Sequence, residues 1–89
     1  MNTHELEPAH VEWCRRHFSL MREGGVWAIP RSGLIFTKRD GRLVLTAAMP
    51  WSPDMAGTIT AEQLLEQQDE EFEANREHFA AAGVEVVRD

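Results

Sequence analysis

The sequence predicts an α+β domain of two layers, with a small, mainly antiparallel sheet carrying two helices on one face, in the order α-β-β-β-α-β. Three observations predict it. Two stretches near the ends of the chain space their apolar residues at helical intervals. Between them lie three short runs rich in β-branched and aromatic residues, two of them joined by Asp40-Gly41. A last run, Val84 to Val87, follows the second helical stretch after one glycine. A sheet that is apolar on one face is stably closed by helices packed on that face. At 89 residues the chain is one domain, 1–89, with a single small core.

The first helix starts at Pro8, since proline suits a position whose N–H would lack a partner. Glu7 puts negative charge at the positive end of the helix dipole. Gly24-Gly25 is the expected stop, where glycine accepts the left-handed cap geometry. Leu6, Ala9, Val11, Trp13, Cys14, Phe18, Leu20 and Met21 form an apolar arc over more than half the circumference. One sheet face does not need so wide an arc. Either another surface covers part of it, or it is a contact between two copies; the arc therefore predicts a homodimer.

Val26 to Ile29 is the first strand, and Leu34–Arg39 and Arg42–Met49 are the next two. Asp-Gly between such runs signals a type I′ hairpin turn, which needs positive φ at both central positions. That turn sets Arg39 opposite Arg42, Lys38 opposite Leu43 and Phe36 opposite Leu45. Leu34, Phe36, Leu43, Leu45 and Ala47 then share the buried face, with Ile35, Thr37, Val44 and Thr46 on the other. In the second helix, Thr60 and Gln63 read as a capping box and Ile59 and Leu64 as a hydrophobic staple. Gly83 ends that helix. Its apolar stripe reads as Ala61, Leu65, Phe72, Phe79 and Ala82, interrupted by Gln68 and Asn75. The partner of the last strand is left open.

Composition bounds the function classes. Apolar residues are 43% and charged residues 27%, ordinary for a folded globular domain. No apolar run nears the roughly 20 residues that span a bilayer, and the first ten residues lack a secretory pattern. The lone Cys14 fits a reducing, cytoplasmic setting. Net charge is −6, and Thr60 to His78, with seven acids and one base, carries the whole excess. Arg31, Lys38, Arg39 and Arg42 make the hairpin region basic. Such asymmetry bears on partners and association rates.

No nucleotide-binding, serine-hydrolase or zinc-protease motif is present, so no catalytic residue and no cofactor is expected. His10, Cys14 and His17 share one helix face, a weak metal-binding alternative against their use in the core or an interface. The basic set Arg31, Lys38, Arg39 and Arg42 supports a nucleic-acid-binding alternative through phosphate contacts, against protection of a sheet edge. Trp51, in the loop Ala48–Gly57 with Met49, Met55 and two prolines, is either a lid on the core or a contact residue. Trp51 and Met55 with Glu66, Asp69, Glu70 and Glu73 are the candidate partner-binding residues.

The run Trp27 to Phe36, followed by the Asp40-Gly41 hairpin and an acidic, glycine-ended helix, resembles small accessory open reading frames of bacteriophages and prophages. The resemblance covers about the middle third of the chain and carries no catalytic motif. It implies a protein that binds and inhibits a host protein complex, CRISPR and other defence effectors included. The expectation is thus a non-catalytic, cytoplasmic protein-binding module with a host protein as partner.

Overall fold

The computed structural model describes residues 6–89; the first five residues, part of the stretch read above for a secretory pattern, lie outside them. The elements are α1 (Pro8–Leu20), β1 (Val26–Ile29), β2 (Leu34–Arg39), β3 (Arg42–Ala48), a 3₁₀ turn at Pro53–Met55, α2 (Ala61–Ala81) and β4 (Val86–Arg88). The strands form one sheet in the spatial order β1-β2-β3-β4. β1, β2 and β3 are antiparallel neighbours, and β4 runs parallel to β3. The expected α+β class and element order hold. The parallel pair follows from α2: its 21 residues return the chain about 30 Å to the start of β3, so the next strand must run in the same direction.

The hairpin turn has φ of 55° at Asp40 and 76° at Gly41, both positive as a type I′ turn requires. Arg39, Lys38 and Phe36 face Arg42, Leu43 and Leu45 as the turn dictates. One residue later the register shifts, and Ile35 pairs with Ala47 rather than Thr46. This bulge inverts the phase of the end of β3. Ala47, expected on the buried face, therefore lies exposed beside Ile35 on the outer one. The displaced Thr46 hydroxyl lies 3.1 Å from that of Thr37 and 3.3 Å from the Ile35 carbonyl.

Cys14 from α1, Leu34 and Phe36 from β2, Leu43 from β3, Phe72 and Phe79 from α2, and Val84 and Val86 form the core. Trp27 stacks on Phe36 at 5.5 Å and meets Phe79 at 5.6 Å, joining the edge strand to both layers. Thr60 and Gln63 form the expected capping box, with reciprocal bonds of 3.1 and 3.0 Å. At the other end Gly83 has φ of +85°. The Val84 N–H donates to the Phe79 carbonyl at 2.8 Å and the Gly83 N–H to that of Ala80 at 2.9 Å, a Schellman arrangement.

Two expectations are corrected here. α1 stops at Leu20, short of Gly24, because Met21 turns to extended geometry with ψ of 141°. Lys38 reaches across from β2 and donates to the carbonyls of Phe18 and Met21 at 2.9 and 3.0 Å. Its ammonium also sits 4.2 Å from the centre of the Phe18 ring. The second correction concerns α2, whose buried face is Leu64, Gln68, Phe72, Asn75 and Phe79, while Ala61 and Leu65 point outward. Gln68 fixes this phase, donating to the carbonyls of Ser32 at 3.1 Å and Met49 at 2.9 Å. With Gln68 inside, Leu64 one turn earlier must also face inward.

Candidate binding surface

The loop after β3 is held by its own backbone. Met55 and Ala56 donate to Ser52 and Pro53, and the N–H groups of Thr58 and Ile59 both reach the Met55 carbonyl, at 2.8 and 2.9 Å. Trp51 lies half-buried across it and donates through Nε1 to the Ile59 carbonyl at 2.9 Å. The indole thus closes the loop with its polar atom and leaves part of its ring in water. Met49, Pro50 and Trp51 from the loop and Leu64 and Leu65 from α2 line one groove. Leu65 is 62% exposed and Met49 39% exposed. Met55, half-buried, lines a second groove with Ile59 and Arg31, and Met49 and Leu64 border both.

The acids of α2 adjoin this apolar end. Glu62 and Asp69 lie three before and four after Leu65, on the same exposed side of the helix. Glu66 and Glu70 are exposed. Asp69 bonds Arg88 at 3.2 Å, and Glu73 pairs with Arg76. Of the six partner-binding candidates, Trp51 and Met55 sit in the loop and the four acids on the neighbouring helix. Exposed Leu65 and Met49 were not among them. The signal for Leu65 was in the sequence: a staple from Ile59 draws Leu64 inward and so turns Leu65 out.

Arg39 and Arg42, opposite each other across the hairpin, line one hollow with Arg88, while Arg31 lies at the other end of β2 and Lys38 turns toward α1. Arg31 bonds Glu71 at 3.1 Å, while Arg39 lies 3.8 Å from Asp89 and Arg42 3.8 Å from Glu85. Lys38 is spent on the end of α1.

His10, Cys14 and His17 also part company. Cys14 is fully buried, and burial pushes its thiol up to about 11. His10 turns to His78, with ring centres 4.2 Å apart and edge on, while the His78 Nδ1 lies 2.8 Å from the Ala74 carbonyl. His17 stacks on Trp13 at 4.6 Å, with Nε2 buried and without a partner among the described residues. Burial lowers the pKa of both His10 and His17 from the ordinary 6.5; for His10 the charge of His78 acts in the same direction, opposed by Glu7 and Glu71. Among the described residues no three His, Cys, Asp or Glu side chains gather where they would hold one metal ion. No helix of the described residues is long and apolar enough to cross a membrane. The chain matches no protein-family model, no curated protein and no solved structure.

Proposed function

We propose that the protein is a non-catalytic binding module that grips a partner protein between the Trp51 loop and the acidic face of α2. The observation that carries this reading is Leu65, 62% exposed, beside Met49, 39% exposed, with half-buried Trp51 completing the groove. Large apolar side chains grouped at the surface mark contact sites more than singly scattered ones do. The loop is already braced by the Trp51 bond to Ile59, so little ordering cost remains on binding. Glu62 and Asp69, a turn before and a turn after Leu65 on the same side of α2, border the groove with negative charge that Glu66, Glu70 and Glu73 extend along the helix, which favours a partner whose apolar contact is bordered by lysine and arginine. The resemblance to phage accessory proteins favours a host complex as that partner, a CRISPR or other defence effector among them, inhibited by occlusion of its own basic surface.

Capture from host lysate on immobilised protein tests the reading. A specific partner is expected, and it should be lost when Trp51→Ala is combined with Glu70→Lys and Glu73→Lys. Capture unchanged by those substitutions, or no specific partner at all, counts against it.

A further inference from the structure

Gln67, Glu70, Glu71, Ala74, Asn75 and His78 recur along α2 at spacings of three and four, so they form one stripe of its surface. His10 of α1 stands beside His78, and Arg31, from the turn after β1, beside Glu71; together they wall a hollow over the stripe. Glu71 is already engaged there. One carboxylate oxygen takes Arg31 and the other takes the Asn75 amide, at 3.1 Å each. Asn75 is only 6% exposed, and its nitrogen also donates to the Glu71 carbonyl at 2.9 Å. Both of those partners are acceptors, which fixes the amide nitrogen on Glu71 and leaves Oδ1 with no donor among the described residues. His78 is fixed in the same way. The Ala74 carbonyl can only accept, so Nδ1 carries the proton toward it, and Nε2 of the neutral ring is an acceptor. Glu70, exposed at the lip, forms no ion pair among the described residues.

We infer that this hollow seats an arginine side chain of the partner protein, a source that rests on the function proposed above. The Glu70 carboxylate, the Asn75 Oδ1 and the His78 Nε2 all accept, so a ligand held by them must bring the donors. An acceptor as deeply placed as that of Asn75 is costly to leave unpaired once a partner covers it. Glu70 and Glu71 outweigh Arg31 in charge, which selects a cation. A metal ion fits poorly, because the two imidazoles meet edge on and no three ligands converge among the described residues. Acceptors on three different side chains suit a guanidinium, with five N–H groups spread around one plane, better than an ammonium. At neutral pH the His10 wall does not repel that cation, since burial and then the charge of His78 lower its pKa from 6.5, against Glu7 and Glu71. Position supports the source as well. Arg31 and Gln67 border both this hollow and the groove lined by Met55, so one partner surface reaches both.

Titration of the full chain with acetyl-arginine amide, followed by heteronuclear NMR, tests the seat without any partner present. Saturable shifts are expected at Glu70, Asn75 and His78, and none from acetyl-citrulline amide, which has nearly the same shape without the charge. Glu70→Gln should weaken binding of the arginine amide about 5-fold or more, the effect of losing one charged hydrogen bond. Glu66→Gln removes the same charge one turn earlier, outside the hollow, and should weaken it by less than about 2-fold. Both side chains are exposed, so neither change should move the thermal midpoint. Trp51→Ala should leave the titration unchanged while it weakens capture of the partner, so hollow and groove can fail separately. The captured partner should displace the arginine amide. No saturable shift, equal shifts from the citrulline amide, equal losses in Glu70→Gln and Glu66→Gln, or an arginine amide that stays seated when the captured partner binds would each overturn the assignment.

Discussion

The carboxyl end of α1 and the two ends of α2 face the same demand, because every helix end leaves backbone groups without intrahelical partners. α2 answers it with neighbours in sequence. Thr60 and Gln63 serve the first amides, and Gly83 with the Val84 N–H serves the last carbonyls. α1 is ended by a residue on another element. Lys38 takes the carbonyls of Phe18 and Met21, and its backbone bonds the Gly24-Gly25 corner at 2.7 and 2.9 Å. The first kind of boundary forms wherever its few residues are present. The second exists only when α1 and the hairpin are docked. α1 should therefore depend on the tertiary fold more heavily than α2 does.

The most severe change should come from Phe79→Ala. The side chain is fully buried against Trp27 between the layers, so its loss should cost about 3–5 kcal/mol in chemical denaturation. Hydrogen exchange should show α1 losing its protection before α2; equal loss in both helices would break the contrast drawn here. Lys38→Met comes next, at about 2 kcal/mol, since it keeps the stem but strands the Met21 carbonyl, leaves the Phe18 carbonyl only the Met21 N–H at 3.1 Å, and removes the charge over Phe18. Urea midpoints should show Lys38→Arg recovering part of that loss. A neutral Lys38→Met would mean the helix stops there for some other reason. Thr60→Ala should cost about 1 kcal/mol and fray only the start of α2. Loss of α1 protection in that variant would show the two helices to be a single unit.

The smallest effect is on pH. His10 and His17, both on α1, have folded pKa values below the ordinary 6.5. Protons then bind the unfolded chain more readily, so the stability due to keeping them neutral is complete above pH 6.5 and declines as pH falls below it. Thermal midpoints should drop between pH 7 and 5, and less so in His17→Phe. A midpoint rising over that interval would contradict the assignment.

The same contrast explains which features were legible in the sequence. The Asp40-Gly41 turn, the capping box and the Gly83 stop are local, and each holds at the residues expected. Features set by distant partners were not legible. The end of α1 depends on Lys38, twenty residues beyond Phe18. The outward Ala47 depends on a bulge opposite Ile35. The phase of α2 depends on Gln68 finding two loop carbonyls. At the candidate surface the aromatic loop residue and the acids could be named from the sequence. Leu65 was placed in the buried stripe with Ala61, whereas the staple at the start of the helix puts Leu64 inside and Leu65 out. Arg39 and Arg42 stay together as their place at the hairpin predicts, but their spacing says nothing of the acids that the fold brings to the basic residues: Asp89 to Arg39, Glu85 to Arg42 and Glu71 to Arg31.

The central claim, that the protein acts through the groove between the Trp51 loop and α2, is tested most directly by calorimetric titration of the captured partner. Leu65→Glu and Val26→Glu should be compared, because both positions are exposed, at 62% and 65%, and only the first lines the groove. The account predicts a loss of affinity of about 10-fold or more for Leu65→Glu, with wild-type affinity for Val26→Glu. Equal affinities for the two variants, with folding intact, would contradict it.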